Sequence, residues 1–144
     1  MLPTFLRRVR PFFLLTDIGF LLYWAITALH VLPAAWLFKD YDQSLAVAWN
    51  WSFLPLDLLI SATGLGSLAI GRKRPVVAVR LAVFSLVLTS CSGLQAVAFW
   101  AARCDVDVGW WIPNLYLLLY PLPFLGSFLR AEAPKAPEAS MAGI

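Results

Sequence analysis

Charge is what this sequence has least of. Only 13% of its 144 residues are Asp, Glu, Lys or Arg, while 61% are hydrophobic and the mean hydropathy is +0.78. Soluble domains carry about a quarter of their residues as charges, so a solvated globular surface is excluded. Histidine and cysteine are scarce as well. One histidine and two cysteines make no ligand set for a metal centre, and neither a metal nor a cofactor is expected. On a continuing helix Cys91 and Cys104 would lie about 20 Å apart at 1.5 Å per residue, too far for a disulfide.

What the sequence does hold is long apolar runs. Four of them, near 11–36, 46–70, 76–101 and 110–129, reach the roughly 20 residues that cross a bilayer. The expected fold is all-α, a polytopic four-helix membrane bundle. A single four-span domain occupies 1–130, followed by a disordered cytoplasmic tail over 131–144 that is rich in Pro, Ala and charge. The longest polar stretches are too short for an extramembrane domain. The first run is too long for a signal-peptide core, contains Asp17 and lacks a clean small-x-small cleavage site, so it is expected to stay as a helix.

Topology follows from the basic residues. Arg7, Arg8, Arg10, Arg72, Lys73, Arg74, Arg80, Arg130 and Lys135 fall on one side if the four helices alternate, leaving Lys39 and Arg103 opposite. The positive-inside rule then puts both termini in the cytoplasm and the protein in the cell membrane. The net charge of +3 is a topology signal, and no nucleic-acid partner is expected.

Punctuation sets the helix contacts. Gly71-Arg-Lys-Arg-Pro75 reads as a tight turn that makes the second and third helices antiparallel neighbours. Ala62 with Gly66, Ser67 with Gly71, and Thr89 with Gly93 are small-xxx-small pairs that let helices approach in lipid. Pro55, Pro113, Pro121 and Pro123 interrupt the second and fourth runs, and a kink is expected at Tyr120-Pro-Leu-Pro123.

Against this apolar background two acids stand out. Asp57 lies near the middle of the second run and Asp17 in the inner half of the first. A charge at the bilayer centre costs about 2.5–3.5 kcal/mol even on lenient insertion scales, so each is a candidate functional group. Asn50, Asp57, Ser61 and Gly64 recur along one helical face. Thr16, Tyr23, Thr27 and His30 form a stripe on the first helix with Trp24 beside it, Ser85, Thr89 and Ser92 form a line on the third with Gln95 nearby, and Asn114 lies beneath Trp110 and Trp111 on the fourth. Aromatics crowd the outer half: Tyr23, Trp24, Trp49, Trp51, Trp100, Trp110, Trp111 and Tyr116. The pattern predicts an outward-biased pocket with aromatic walls, a polar rim and Asp57 at its floor. The alternative is structural: Asp57 hydrogen-bonds neighbouring helices, and Asp17 caps a helix or pairs with the basic end. His30 and the Trp36, Trp49, Trp51, Trp100, Trp110 and Trp111 set also match ordinary interfacial side chains.

A carboxyl in such a pocket is disfavoured in its ionised form and can serve as a proton donor. Aromatic faces would stabilise the cation formed by protonating an alkene or epoxide. This is the chemistry of proton-initiated isoprenoid cyclisation. Asp57 and Asp17 are the catalytic candidates, and Tyr23, Trp24, Asn50, Trp51, Ser61 and Asn114 are the substrate-binding ones. The partners would be a hydrophobic isoprenoid or lipid-like small molecule and membrane lipids.

The segments Thr16-Asp-Ile-Gly-Phe-Leu-Leu-Tyr-Trp-Ala-Ile-Thr-Ala-Leu-His30, Trp36-Leu-Phe-Lys-Asp-Tyr41 and Asn50-Trp-Ser-Phe-Leu-Pro-Leu-Asp-Leu-Leu-Ile-Ser-Ala-Thr-Gly64 resemble the YvaD family of small bacterial four-span membrane proteins. That resemblance implies topology and location more than activity. In span count and acid placement the chain is also similar to small bacterial membrane-bound terpene cyclases, which implies catalysis by intramembrane acids. The Asp-rich motifs of soluble cyclases are absent, so metal-dependent diphosphate ionisation is not expected. Two other functions compete with a cyclase. A small proton-coupled transporter would use Asp17, although the one-sided basic residues disfavour a dual-topology dimer. A non-enzymatic membrane subunit or lipid-binding protein would use Asp57 for stability alone.

Overall fold

Proline decides where the helices break. The computed structural model describes residues 2–132, and these form seven helices with no strand among the described residues. Helix α1 runs Leu2–Ala28, α2 Ala34–Leu37, α3 Ser44–Ser52, α4 Leu54–Ile70, α5 Pro75–Ala102, α6 Val108–Leu119 and α7 Pro121–Glu132. Pro55 has no N–H for the Trp51 carbonyl, and the second run divides at Phe53 into α3 and α4. Pro121 divides the fourth at Tyr120 into α6 and α7, where the kink was expected. Pro75 starts α5, a position where its missing N–H costs nothing.

Across these breaks four helical stretches are long and apolar enough to cross a membrane: Thr4–Ala28, Ser44–Ile70, Pro75–Ala102 and Val108–Ala131. The first departs from the expected 11–36 at both ends. It begins earlier because Leu6, Val9 and Phe13 recur on one face and are buried, so the helix continues through Arg7, Arg8 and Arg10. It ends at Ala28 because the chain turns at His30, which has a φ of 52°, and Pro33 then bars Leu32 from helix. His30 therefore leaves the Thr16–Tyr23–Thr27 stripe and lies exposed in a turn. Most of the expected disordered tail lies outside the described residues.

Helix α5 is the centre of the bundle and packs on α1, α4, α6 and α7. Its buried face is built of small residues, among them Ala78, Ala82, Ser85, Thr89, Ser92, Gly93 and Ala96. Apolar burial gains little against hydrocarbon, so close packing and hydrogen bonds must supply the association. Gly93 shows how close: a Cβ there would sit 2.6 Å from the Asn114 carbonyl oxygen, and the Leu118 nitrogen is nearer still. The Thr89/Gly93 pair thus marks the α5–α6 contact. Gly71 lies against Leu6, whereas nothing comes within 4 Å of a Cβ at Gly66, so the Ala62/Gly66 pair marks no contact within the chain.

The end of the bundle that holds the start of α1 is a packed core of Leu6, Val9 and Phe13 against Ala78, Val79, Ala82, Leu86 and Tyr120. Phe12 stacks on Tyr120 with centroids 5.3 Å apart, and Tyr116 stacks on Tyr120 at 4.8 Å. Tyr116, expected among the outer aromatics, belongs to this core because its hydroxyl lies 3.3 Å from Thr16 Oγ1. The perimeter is apolar, with Leu15, Leu22, Leu94 and Ile112 each more than half exposed. Hydrocarbon suits such a perimeter better than water.

At the opposite end the 29–43 connection folds back over the bundle. Lys39 Nζ donates to both oxygens of Asp105 at 2.7 Å, and Arg103 donates to Asp40 at 2.8 Å. Both cations also sit over Trp100, at 5.5 and 5.3 Å from its ring centroid. These pairs tie the connection to the α5–α6 turn. The Asp105 carboxylate, as a hydrogen-bond partner, holds the Lys39 ammonium above the usual lysine range. The clamp is therefore intact below the ordinary lysine value of about 10.4 and is lost as pH rises through the raised value. Intrinsic tryptophan fluorescence is expected to stay constant from pH 7 to 10, change above that, and lose this alkaline step in Lys39→Gln.

Candidate functional site

Between the folded-back connection and the helices lies a cavity of about 570 Å³, well within the size of small-molecule sites. Helix α1 supplies Phe20, Tyr23 and Trp24, and α3 supplies Trp49 and Asn50. Phe53 and Asp57 come from the α3–α4 junction, Ser92 and Ala96 from α5, and Trp110, Pro113, Asn114 and Leu117 from α6. Residues 35–39, from the folded-back connection, and Asp107 and Gly109 complete the lining.

Asp57 is the buried acid of this cavity, Asp107 being half-buried where it closes the far side. The break at Phe53 places it in the first turn of α4, where the helix dipole favours negative charge. It is 5% exposed, and each carboxyl oxygen has a donor. Trp24 Nε1 donates to Oδ2 at 2.9 Å, and Ser92 Oγ donates to Oδ1 at 3.4 Å. Trp24 is itself fixed edge-on against Tyr23, with centroids 5.0 Å apart, and against Trp51 at 5.4 Å. Tyr23 in turn donates its hydroxyl to Asn50 Oδ1 at 3.0 Å. A chain of aromatic contacts and hydrogen bonds from α1 to α3 therefore sets the orientation of one carboxyl. Trp24→Phe keeps the ring and removes the donor, leaving a buried oxygen unpaired at a cost of about 1–3 kcal/mol. A lower unfolding temperature is the expected reading, with no such fall in Trp36→Phe, whose side chain is 77% exposed.

Of the substrate-binding candidates, Tyr23, Trp24, Asn50 and Asn114 line the cavity, while Trp51 and Ser61 do not. Trp51 supports Trp24 from behind. Ser61 Oγ bonds the backbone oxygens of Asp57, at 2.8 Å, and of Asp17, at 3.2 Å, and so joins α4 to α1 rather than orienting the Asp57 carboxyl. Asn50 likewise contacts Tyr23 and not the acid. Asn114 donates to the Trp110 carbonyl at 2.7 Å. The residue that does reach Asp57 from another helix, Ser92, lay on the α5 polar line but gave no sequence signal that set it apart from Ser85 and Thr89. Of the other aromatics expected as walls, Trp49 and Trp110 line the cavity and Trp100, Trp111 and Tyr116 do not, whereas Phe20 and Phe53 line it and were missed because their spacing is also that of ordinary packing.

Asp17 is elsewhere. It does not line the cavity, is completely buried, and neither carboxyl oxygen has a hydrogen-bond partner. It sits in mid-helix and forms no ion pair among the described residues, so it neither caps a helix nor pairs with the basic end. Its carboxyl lies against Gly64, where an added Cβ would overlap Oδ2.

Over residues 9–135 the chain matches the family described as "Family of unknown function (DUF5360)". It is also 50% identical over 125 residues to "Uncharacterized protein YvaD" of Bacillus subtilis (strain 168), an alignment covering 87% of this chain and 94% of that one. The chain belongs to this family. No solved structure matches it. Family membership therefore brings a relative of matching length and no assigned chemistry, and the chemistry has to come from the Asp57 cavity.

Proposed function

We propose that this chain is a single-domain multi-pass membrane protein, with both termini cytoplasmic, that admits a hydrophobic isoprenoid or lipid-like molecule to the Asp57 cavity. There it acts as a proton-initiated isoprenoid cyclase. The observation that carries the reading is one acid on the floor of an aromatic-walled cavity, with a hydrogen-bond donor on each of its oxygens. The exposed basic residues at the opposite end, among them Arg7, Arg10, Arg72, Arg74 and Arg130, support the orientation.

In this reading Asp57 gives its proton to an alkene carbon or epoxide oxygen. The π electrons form the new C–H bond, or the C–O bond breaks, and a carbocation results. Trp24 Nε1–H and Ser92 Oγ–H hold the carboxylate left behind. The faces of Tyr23, Trp24, Trp49 and Phe53 stabilise the cation while a neighbouring double bond closes on it, and loss of a proton ends the sequence. A proton-coupled exporter would need Asp17 in contact with cargo, and Asp17 lies outside the cavity.

Incubating the purified protein with prenyl alcohols, prenyl diphosphates and prenyl epoxides tests the proposal. Cyclic products that depend on Asp57 are expected; no product from any of the three classes, with folded protein, would leave a lipid-binding or subunit role.

A further inference from the structure

The cations and the helix start around the Asp57 cavity that could hold an anion are each matched by a carboxylate of the chain itself. Lys39 is the one cation among the described lining residues, and its ammonium is spent on both oxygens of Asp105 at 2.7 Å. Arg103, which shares the Trp100 ring with it, donates to Asp40 at 2.8 Å. The start of α6 offers orphan backbone N–H groups and the positive end of a helix dipole, a ready seat for a phosphate. Asp107 occupies that seat: it is the N-cap, and its Oδ1 accepts from the Trp110 backbone N–H at 3.2 Å. Asp107 also lines the cavity, with no cation in ion-pair range among the described residues. Lys39 thus cancels against Asp105, and even with the Asp57 carboxyl protonated the Asp107 charge is left over.

We propose that the cavity selects uncharged isoprenoids, alcohols or epoxides, and rejects prenyl diphosphates, with Asp105 and Asp107 setting this specificity. The inference rests on the Asp57 cavity as the isoprenoid's site. A diphosphate brings several negative charges to a lining whose net charge is already negative, so it meets repulsion where an alcohol or epoxide meets none. Asp105 acts through Lys39, whose ammonium it keeps from any other anion, and is a positioning residue. Asp107 acts directly, as an acid in the wall and as the plug of the α6 start.

The test holds the prenyl chain constant and changes its head. Binding of farnesol and of farnesyl diphosphate to the full chain in nanodiscs of zwitterionic lipid is read from the rise in unfolding temperature with ligand concentration. The parent chain is expected to bind farnesol roughly tenfold more tightly than the diphosphate. Asp105→Asn frees the Lys39 ammonium and is expected to tighten diphosphate binding by roughly tenfold, the size of one charge-assisted hydrogen bond, with farnesol unchanged. Lys39→Gln breaks the same clamp without freeing a cation, and no such gain is expected there. Should Asp105→Asn fail to fold, Asp107→Asn is read instead, since asparagine keeps the N-cap while removing the charge; it too is expected to tighten diphosphate binding. Diphosphate bound by the parent as tightly as farnesol, no gain in either Asn variant, or an equal gain in Lys39→Gln would overturn the inference, and farnesol that does not bind would overturn it together with the reading it rests on. Failure of the cyclase reading alone looks different: farnesol bound with the expected selectivity and never cyclised.

Discussion

Replacing Asp57 with Asn is expected to lower product formation by roughly a hundred- to ten-thousandfold, the range general acid catalysis supplies, and to leave the bundle folded. Asparagine has almost the same shape but no acidic proton. Its carbonyl can still accept from Trp24 or from Ser92, while its amide group faces the other donor. The loss is thus one hydrogen bond, about 1 kcal/mol, which a domain of this size tolerates. A purely structural Asp57 would give the opposite pattern, a lower unfolding temperature with turnover intact. Measuring unfolding and turnover on the same preparation separates the two.

The largest effect on stability is expected at Gly93. Its missing Cβ is the space in which α6 lies, and the atoms that would be struck are backbone: the Asn114 oxygen, the Leu118 nitrogen and the Leu117 carbonyl carbon. Backbone inside a helix cannot swing aside as a side chain can, so Gly93→Ala must separate α5 from α6. A cost of about 3 kcal/mol is expected, the upper end of ordinary overpacking. The displacement would also move Asn114 and Leu117, which line the cavity, so ligand binding should weaken with it. Gly66→Ala is the matched control. It too is a helical glycine, but nothing lies within 4 Å of its Cβ position, so the better helix propensity of alanine predicts a neutral change or a gain of up to about 1 kcal/mol. Equal unfolding midpoints for the two variants would mean that α5 and α6 do not meet as described.

The helical class and the four long runs were legible because hydrocarbon demands continuous apolar helices; Pro55 and Pro121 interrupt them, whereas Pro113, also expected to, lies inside α6. Pro121 and Pro75 acted as expected. The first run misled because hydropathy does not register a turn: Leu29, Val31, Leu32 and Ala34 are as apolar as the helix before them, yet they lie in a connection stopped by Pro33. That connection then became a wall of the cavity, which no periodicity could announce.

The site was legible to the depth of one helix. Asp57 was marked by cost, and Tyr23, Trp24, Asn50 and Asn114 by clustering at one level. Which residue meets which depends on rotation between helices, and there the sequence ran out. Asn50 and Ser61 share a face with Asp57, but neither reaches its carboxyl, while Ser92 on α5 does. The sequence told Asp17 from Asp57 by depth alone. The structure separates them by their partners, two donors for one and none for the other.

The central claim, that Asp57 starts a reaction by giving up a proton, is tested most directly with deuterium. Turnover of an alkene substrate in deuterium oxide is expected to place a single deuterium from solvent at the carbon first protonated, in product formed by the parent chain and not by Asp57→Asn. Cyclic product made from an alkene substrate at the parent rate with no solvent deuterium on carbon would contradict it.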